Sequence, residues 1–335
     1  MSTLLEVRNL QVRFAVRRRG ILGPKSYLHA VDDVSFTVAT GETMAIVGES
    51  GSGKTTAALA IARLVNAAGG SVSLEGEELL GLRGEDLRRL RSKVQFIFQD
   101  PYSALDPRRR AEALVREPLD ALTDKSPEVK QQIVAELFAA AGLHPEQLRL
   151  FPHQFSGGQR QRIGIARALA TRPKLVICDE PVSALDVAVQ AQILNLLRRL
   201  QTEYGLTYLF ISHDLGVVQH MSDHVAVMYM GRIVEYADRI RLFNRPQHPY
   251  TAALLSAVPS IDMSSRSRRE RILIPGDPPD PVSLPKGCRF ANRCPIARDI
   301  CTSREPALIE IEAGHSAACH FPGELALQES RRQSS

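Results

Sequence analysis

Residues 48–55 read Gly48-Glu49-Ser50-Gly51-Ser52-Gly53-Lys54-Thr55, and Thr56 follows. The apolar run before this stretch, residues 44–47, predicts a buried strand, whereas residues 56–64 have the apolar spacing of a helix. A glycine-rich turn between a strand and a helix lets successive backbone N–H groups point at one anion, and the helix start adds its positive dipole end. The pattern therefore predicts a loop that binds the phosphates of a nucleoside triphosphate.

Side chains in and near this loop have predicted contacts of their own. We expect Lys54 to reach the β- and γ-phosphates as a point charge, and the Thr55 hydroxyl to ligate Mg²⁺. Adenine needs an aromatic face on which to stack. The candidates are Phe14, which ends an alternating apolar segment over residues 4–14, and Tyr27, which precedes a second predicted strand. The residues alone do not choose between these two rings.

The composition is that of a large globular chain with a basic surface. It has 335 residues, 44% of them hydrophobic, and a net charge of +5. No apolar run approaches the roughly 18 residues that would cross a bilayer. Glu6 and Arg8 lie where a secretion signal would be apolar, so we expect the chain to stay in the cytosol. The basic runs lack interleaved aromatic residues, which favours a solvated surface over a nucleic-acid site.

Polar residues follow several predicted strands in the rest of the chain. An apolar run over residues 175–178 ends in Asp179 and Glu180, and alternation along a strand sends these two carboxylates in different directions. We expect Asp179 to hold Mg²⁺ and Glu180 to polarise the attacking water as general base. Gln99 follows another strand and is a candidate to contact Mg²⁺ or that water. His213 follows a third, at the edge where α/β folds bind ligands.

A second glycine-rich helix start lies about 100 residues after the first. It reads Ser156-Gly157-Gly158-Gln159 and follows a helical region over residues 110–150. Ser156 is a good N-cap, and the two glycines again bring bare N–H groups to the start of a helix. This arrangement is typical of an anion site, although helix capping alone would also explain it.

The order of these motifs resembles that of the ATPase subunits of ABC transporters, from residue 4 to about residue 320. The resemblance implies an α/β fold, with a RecA-like core, an antiparallel β subdomain and a helical subdomain at about 103–170, within a domain over residues 1–258. It also implies that the loop of one subunit and the Ser156–Gln159 segment of another close around the same ATP. Glu180 would then be the catalytic base, His213 the γ-phosphate sensor, Gln99 the residue facing a transmembrane partner and Asp186 a dimer contact.

The carboxyl-terminal part contains a proline-rich linker followed by four cysteines. Five of the eleven residues at 275–285 are proline, which predicts a semi-rigid connection. Four cysteines confined to some thirty residues of a cytosolic chain favour a metal over disulfides, and their spacing does not choose between zinc and an iron–sulfur cluster. These cysteines are Cys288, Cys294, Cys301 and Cys319.

Two features of the carboxyl-terminal half resemble the ATPase subunits of oligopeptide and dipeptide importers. These features are His248-Pro249-Tyr250 and the cysteine tail, in an extension over residues 259–335. Residues 178–186 are similar to those of the second of the two paired subunits. The resemblance implies a heterodimer with a sister ATPase, two permease subunits, an extracytoplasmic peptide-binding protein and a peripheral location on the cytoplasmic face of the membrane. It also implies a [4Fe–4S] cluster on the four cysteines, with zinc as the alternative.

Two other functions are compatible with parts of the sequence. Other subunits recognise the cargo in such importers, so nickel complexes or glutathione are alternatives to peptides. A soluble ATPase of the same fold that acts on nucleic acid is supported only by the positive charge.

Overall fold

The computed structural model describes residues 2–16, 26–258 and 272–325. Within these ranges the chain forms an α/β fold of two sheets with helices packed around them, which confirms the predicted class. The strands are β1 (Thr3–Val16), β2 (Ser26–Ala39), β3 (Thr43–Val47), β4 (Gly69–Leu74), β5 (Glu77–Glu78), β6 (Val94–Ile97), β7 (Leu175–Asp179), β8 (Thr207–Ser212), β9 (His224–Tyr229), β10 (Arg232–Asp238), β11 (Ile309–Glu312) and β12 (His315–Ala317).

Helices connect most strands of the larger sheet. They are α1 (Lys54–Ile61), α2 (Gly84–Lys93), α3 (Pro101–Ala104), α4 (Ala111–Leu122), α5 (Pro127–Ala140), α6 (Gly157–Leu169), α7 (Val187–Tyr204), α8 (Leu215–Met221), α9 (Arg239–Asn244), α10 (Pro249–Ser256) and α11 (Asp299–Ser303), with short 3₁₀ turns at Pro145–Arg149, Pro152–Gln154 and Ala291–Arg293. Four of these helices, α3 to α6, follow one another between β6 and β7. Among the helices of the described ranges, none combines the length and the hydropathy that a bilayer-spanning segment needs.

The larger sheet has eight strands in the order β11-β12-β10-β9-β3-β8-β7-β6. The five strands from β9 to β6 run parallel, and β10, β12 and β11 are antiparallel additions at one edge. Every residue of β3, β7 and β8 is buried, as expected for parallel strands covered on both faces. The carboxyl ends of these three neighbouring strands therefore present their following loops at one edge.

The smaller sheet is antiparallel and has the order β2-β1-β4-β5. The apolar residues on its inner face, among them Leu5, Val7 and Val34, pack in one core with Ala58 and Ile61 of α1. This core fixes the helix that follows the glycine-rich loop between the two sheets.

A group of helices occupies the region predicted to be a helical subdomain. Leu114 and Leu119 of α4 pack in one core with Phe138 of α5 and Ile163 of α6. Ser126 caps α5, as its side chain accepts a hydrogen bond from the backbone N–H of Val129.

The carboxyl-terminal tail packs against the larger sheet. Strand β12 pairs with β10, with Ala317 opposite Glu235, and Phe290 lies in one core with Val47 and Tyr250. The predicted boundary at residue 258 stays a prediction, because residues 259–271 lie outside the described part of the chain.

Candidate nucleotide-binding site

The glycine-rich loop after β3 needs two of its glycines for reasons of space. Gly48 has a φ of 154°, and a Cβ there would lie 2.1 Å from the carbonyl oxygen of Met228. Gly53 has a φ of 104°, and a Cβ there would lie 2.1 Å from the carbonyl oxygen of Ala30. Any side chain at either position would force the backbone apart. The loop thus lies between β2 and β9, and the glycine at each of its ends approaches the backbone of one of these strands.

Lys54 begins α1 and folds back over the loop. Its Nζ donates hydrogen bonds to the carbonyl oxygens of Gly48, at 2.8 Å, and Glu49, at 2.9 Å. The side chain is buried, and burial lowers the pKa of the Lys54 ammonium, while the carboxylates of Glu180, Asp179 and Glu49 oppose that shift. A desolvated cation held over an anion-binding loop is available to a bound phosphate.

Thr55 and Asp179 meet although 124 positions separate them. The Thr55 hydroxyl donates a hydrogen bond to Asp179 Oδ1 at 3.0 Å. Asp179 ends β7 and is buried, and this burial raises the pKa of its carboxyl group. The hydroxyl and the carboxylate form a pair of hard oxygen ligands of the kind that Mg²⁺ binds together with phosphate oxygens.

Glu180 is contacted from both sides by the other two predicted catalytic residues. Gln99 Nε2 donates a hydrogen bond to Glu180 Oε2 at 2.9 Å, and His213 Nδ1 lies 3.0 Å from Glu180 Oε1. Glu180 itself has a φ of 45°, a left-handed conformation that is uncommon for residues other than glycine. The two neighbouring carboxylates have different partners, since Asp179 contacts Thr55 and Glu180 contacts Gln99 and His213.

Most of the predicted residues from the first half of the chain, together with Glu180 and His213, line one open cavity of about 880 Å³, whereas the predicted Ser52 and Asp179 are not among its described lining residues. Phe14 belongs to this lining, whereas Tyr27 is not among the described residues that form it. Phe14 is 42% exposed, so its ring is available for stacking. The predicted site residues in the lining are Phe14, Gly48, Glu49, Ser50, Gly51, Gly53, Lys54, Thr55, Thr56, Gln99, Glu180 and His213.

Comparisons with known proteins agree with this geometry. Residues 31–183 match the family model described as "ABC transporter", and residues 234–301 match "Oligopeptide/dipeptide transporter, C-terminal region". The oligopeptide transport ATP-binding protein AppF of Bacillus subtilis is 46% identical over 321 residues, which cover 96% of this chain and 98% of AppF. The oligopeptide transport ATP-binding protein OppF of Escherichia coli is 46% identical over 322 residues, which cover 95% of this chain and 96% of OppF. The chain belongs to the ABC transporter ATP-binding proteins of the oligopeptide transport family.

Solved structures agree on the ABC ATPase fold. The ATP-binding cassette MJ0796, in a dimeric post-hydrolysis state bound to ADP and Pi, has a TM-score of 0.62 and 28% identity, covering 70% of this chain and 99% of that one. The cbiO1 protein of Clostridium perfringens has a TM-score of 0.62 and 26% identity, and the match covers 72% of this chain and 91% of cbiO1.

The second glycine-rich segment of this ABC protein lies outside the cavity. None of Ser156–Gln159 is among the described residues that line it. Ser156 caps α6: its hydroxyl accepts from the Gln159 N–H at 3.3 Å, and Gln159 Oε1 accepts from the Ser156 N–H at 3.0 Å. Gly158 packs against α7, where a Cβ would lie 2.5 Å from Val189 Cγ1. Asp186 caps that helix by accepting from the Val189 N–H at 2.9 Å.

Two of the four tail cysteines of this family member are in contact, since the Cys288 N–H donates to the Cys301 carbonyl oxygen at 2.7 Å. Burial chiefly raises the pKa of Cys319, to about 12, and the nearby thiols of Cys288, Cys294 and Cys301 raise it further. Burial likewise raises the pKa of Cys294 to about 11. Within residues 2–16, 26–258 and 272–325, no three His, Cys, Asp or Glu side chains are arranged around a common point as ligands of a metal ion. The described side chains of the tail are therefore not closed around a single centre.

Several residues near the site were not predicted from the sequence. The further lining residues include His29, Met230 and Gly231. They also include Pro281 from the proline-rich linker, whose carbonyl oxygen accepts a hydrogen bond from the His29 N–H at 3.3 Å. Arg293, beside a tail cysteine, pairs with Glu49 of the loop. Only the proline content of the linker was visible in the sequence, and proline content does not say where a linker packs.

Proposed function

We propose that this chain is an ATP-hydrolysing subunit of an ABC importer that takes up di- and oligopeptides. The observation that carries the proposal lies at one edge of the parallel sheet, where Lys54, Thr55, Glu180 and His213 line a cavity of about 880 Å³. Asp179 joins them through its hydrogen bond with Thr55. Membership of the oligopeptide transport family supports the peptide cargo.

In this proposal the loop over residues 48–56 binds the triphosphate. Its backbone N–H groups and the start of α1 hold the phosphates. Lys54 exchanges its two carbonyl contacts for phosphate oxygens, and Phe14 stacks on adenine. Thr55, Asp179 and Gln99 would hold Mg²⁺, which would neutralise the charge that develops on the phosphates.

Glu180 acts as the general base. It accepts the proton of the attacking water while Gln99 and His213 orient its two oxygens, and His213 also contacts the γ-phosphate. The contacts of Glu180 with Gln99 and His213, at 2.9 and 3.0 Å, support these roles.

We further propose that hydrolysis needs a second ATPase subunit. Ser156, Gly157, Gly158 and Gln159 would contact ATP held by the sister subunit, and Asp186 would lie in the dimer contact. The separation of this segment from its own chain's cavity supports the proposal, as does the dimeric state of the related cassette MJ0796.

The same proposal includes two permease subunits, an extracytoplasmic peptide-binding protein and a position on the cytoplasmic face of the membrane. A groove of about 700 Å³ beside Gln99, lined in part by Leu64, Phe96 and Phe98, offers an apolar surface to a permease. Leu64 and Phe98 are 49% and 39% exposed, respectively.

For the tail we propose a [4Fe–4S] cluster on Cys288, Cys294, Cys301 and Cys319, with zinc as the competing metal. The backbone contact between Cys288 and Cys301, at 2.7 Å, supports this proposal because it brings two of the four cysteines together. A bound cation would favour the thiolate forms, which burial disfavours. Anaerobic purification followed by iron, acid-labile sulfide and zinc analysis separates the two: stoichiometric zinc without sulfide would exclude the cluster.

Reconstitution tests the main proposal. The chain, its sister ATPase and both permeases are placed in liposomes with the binding protein, and ATP hydrolysis and uptake of labelled peptides are measured. We expect peptide-stimulated hydrolysis and uptake, both abolished by Lys54→Ala in this chain. Hydrolysis without uptake of any peptide from a panel of peptides two to five residues long would contradict the proposed peptide cargo. Failure to bind ATP would refute the proposal as a whole.

A further inference from the structure

The carboxyl-terminal tail contacts the phosphate loop through a single arginine. Arg293 Nη1 lies 2.9 Å from Glu49 Oε2, and Arg293 Nη2 lies 3.2 Å from Glu49 Oε1. Nη1 also donates to the Tyr229 hydroxyl at 3.3 Å, and the arginine is only 7% exposed. A bidentate pair of this kind fixes the orientation of the carboxylate as well as compensating its charge.

The second contact of Glu49 is with helix α10. The backbone N–H of Glu49 donates to the Tyr250 hydroxyl at 2.8 Å. The ring of Tyr250 packs on those of Tyr229 and Phe290, with centroid distances of 4.7 and 5.4 Å. The main chain and the side chain of this loop residue are thus both held by groups from the carboxyl-terminal third of the protein.

Glu49 is an unusual neighbour for a polyphosphate. Among the described residues that line the cavity, the carboxylates are those of Glu49 and Glu180, and the lysine is Lys54. A bound triphosphate adds several negative charges. An uncompensated carboxylate at residue 49 would oppose its binding, with a repulsion that grows with the number of phosphates.

We propose that Arg293 is a positioning residue of the nucleotide site. It compensates the charge of Glu49 and holds the carboxylate against the tail, so that the tail increases the affinity of the loop for nucleoside di- and triphosphates. The inference rests on the proposed function, because it concerns the same loop. It goes beyond that function because it assigns a role in nucleotide affinity to a residue outside the ATPase motifs.

The test uses the purified full chain in buffer with EDTA, where ATP binds without hydrolysis, and isothermal titration with ATP and with ADP. Arg293→Gln leaves Glu49 uncompensated. We expect ATP affinity to fall about tenfold, equivalent to about 1.4 kcal/mol, and ADP affinity to fall about threefold. A loss of packing alone would lower the affinities for ATP and for ADP by the same factor.

A second substitution distinguishes an electrostatic effect of Glu49 from a folding defect caused by the loss of Arg293. Glu49→Gln in the Arg293→Gln background removes the uncompensated carboxylate, and we expect it to restore both affinities to within about twofold of the wild type. Glu49→Gln alone leaves the tail arginine in place, and we expect it to bind ATP at least as tightly as the wild type. This single variant keeps the proposal testable if Arg293→Gln does not fold.

Arg289 provides a matched control in the same tail. It is also 7% exposed, and it pairs with the carboxylates of Asp32 and Glu305, neither of which lines the cavity. Its contact with a described lining residue is a hydrogen bond to the carbonyl oxygen of Met230, which carries no charge. We expect Arg289→Gln to lower the thermal midpoint while leaving the ratio of ATP to ADP affinity unchanged.

Three results would overturn the inference. They are an equal loss of ATP and ADP affinity in Arg293→Gln, a failure of Glu49→Gln to restore binding in that background, and weaker ATP binding by Glu49→Gln alone. Absence of ATP binding by the wild-type chain would instead refute the proposed function, and this inference with it.

Discussion

Glu180 Oε1 and His213 Nδ1 lie 3.0 Å apart, although the two residues belong to different strand ends. Strands β7 and β8 are neighbours in the parallel sheet, with Asp179 opposite Ile211. The residues that follow them therefore emerge at the same edge, which is where open α/β sheets bind ligands. Glu180 also donates its backbone N–H to the Ile211 carbonyl oxygen at 2.9 Å, which holds the acid beside the loop that carries the histidine.

Glu180→Gln tests the assignment of the base. The amide preserves the shape of the side chain but cannot accept a proton from water, so we expect hydrolysis to fall by about a hundredfold or more while ATP binding is retained. Single-turnover hydrolysis in the complete transporter, with the sister's site silenced, measures the first effect, and equilibrium titration measures the second. Hydrolysis at the wild-type rate would show that another group acts as base.

Gly53→Ala tests the spatial requirement of the loop, with Gly51→Ala as its control. Both glycines have positive φ, but a Cβ at residue 51 meets nothing within 4 Å, whereas one at residue 53 meets Ala30 O at 2.1 Å. We expect Gly51→Ala to cost about 1 kcal/mol of unfolding free energy and Gly53→Ala at least about 2 kcal/mol more. Urea unfolding measures both values. Equal costs would mean that backbone conformation alone requires glycine at residue 53.

His248 predicts a pH dependence of stability. Burial lowers the pKa of His248 from 6.5 to about 3, so the unfolded chain takes up a proton below pH 6.5 that the folded chain excludes. The contribution of the neutral His248 to the unfolding free energy is therefore fully present above pH 6.5 and is lost as the pH falls towards 3. The ring nitrogen Nδ1 accepts from the Tyr250 N–H at 3.1 Å, a cap that asparagine can also provide without titrating.

The measurement compares unfolding of the wild type with that of His248→Asn. Between pH 7.5 and pH 5 we expect the wild type to lose about 2 kcal/mol more unfolding free energy than the variant. Parallel losses in the two proteins would mean that His248 accepts a proton in the folded state.

Cys319→Ser tests whether the tail cysteines bind a metal, and Cys178→Ala serves as its control. Cys178 is buried in β7, outside the tail, and burial raises the pKa of its thiol, so it serves as an inert control. We expect Cys319→Ser to lower the bound metal and sulfide markedly and Cys178→Ala to leave both unchanged. Retention of all bound metal by Cys319→Ser would remove this cysteine from the ligand set.

The sequence predicted the loop, the strands and the paired acids because each depends on local chemistry. The positions of Gly48 to Thr55 and of Asp179 and Glu180 follow from strand ends and glycine turns. The bounds of α1 were less well predicted: the helix begins at Lys54 and ends at Ile61, rather than spanning 56–64.

Other features depend on tertiary contacts that the sequence does not report. Pro118 lies inside α4, although proline removes a helical hydrogen bond, and Leu114, Val115 and Leu119 of this helix are all buried. Core packing on both sides of the proline thus outweighs the hydrogen bond that it removes. The pairing of Arg293 with Glu49 spans 244 positions and has no local signature.

Photolabelling tests most directly whether residues 156–159 act on nucleotide held by the sister subunit. The transporter is assembled with Lys54→Ala in this chain, so that only the sister's loop binds nucleotide, and is exposed to an ATP analogue with an aryl azide on the γ-phosphate. After illumination and digestion, we expect the label on this chain within Ser156–Gln159, and no label there when the sister is omitted. Label confined to the sister, with this segment unmodified, would contradict the account.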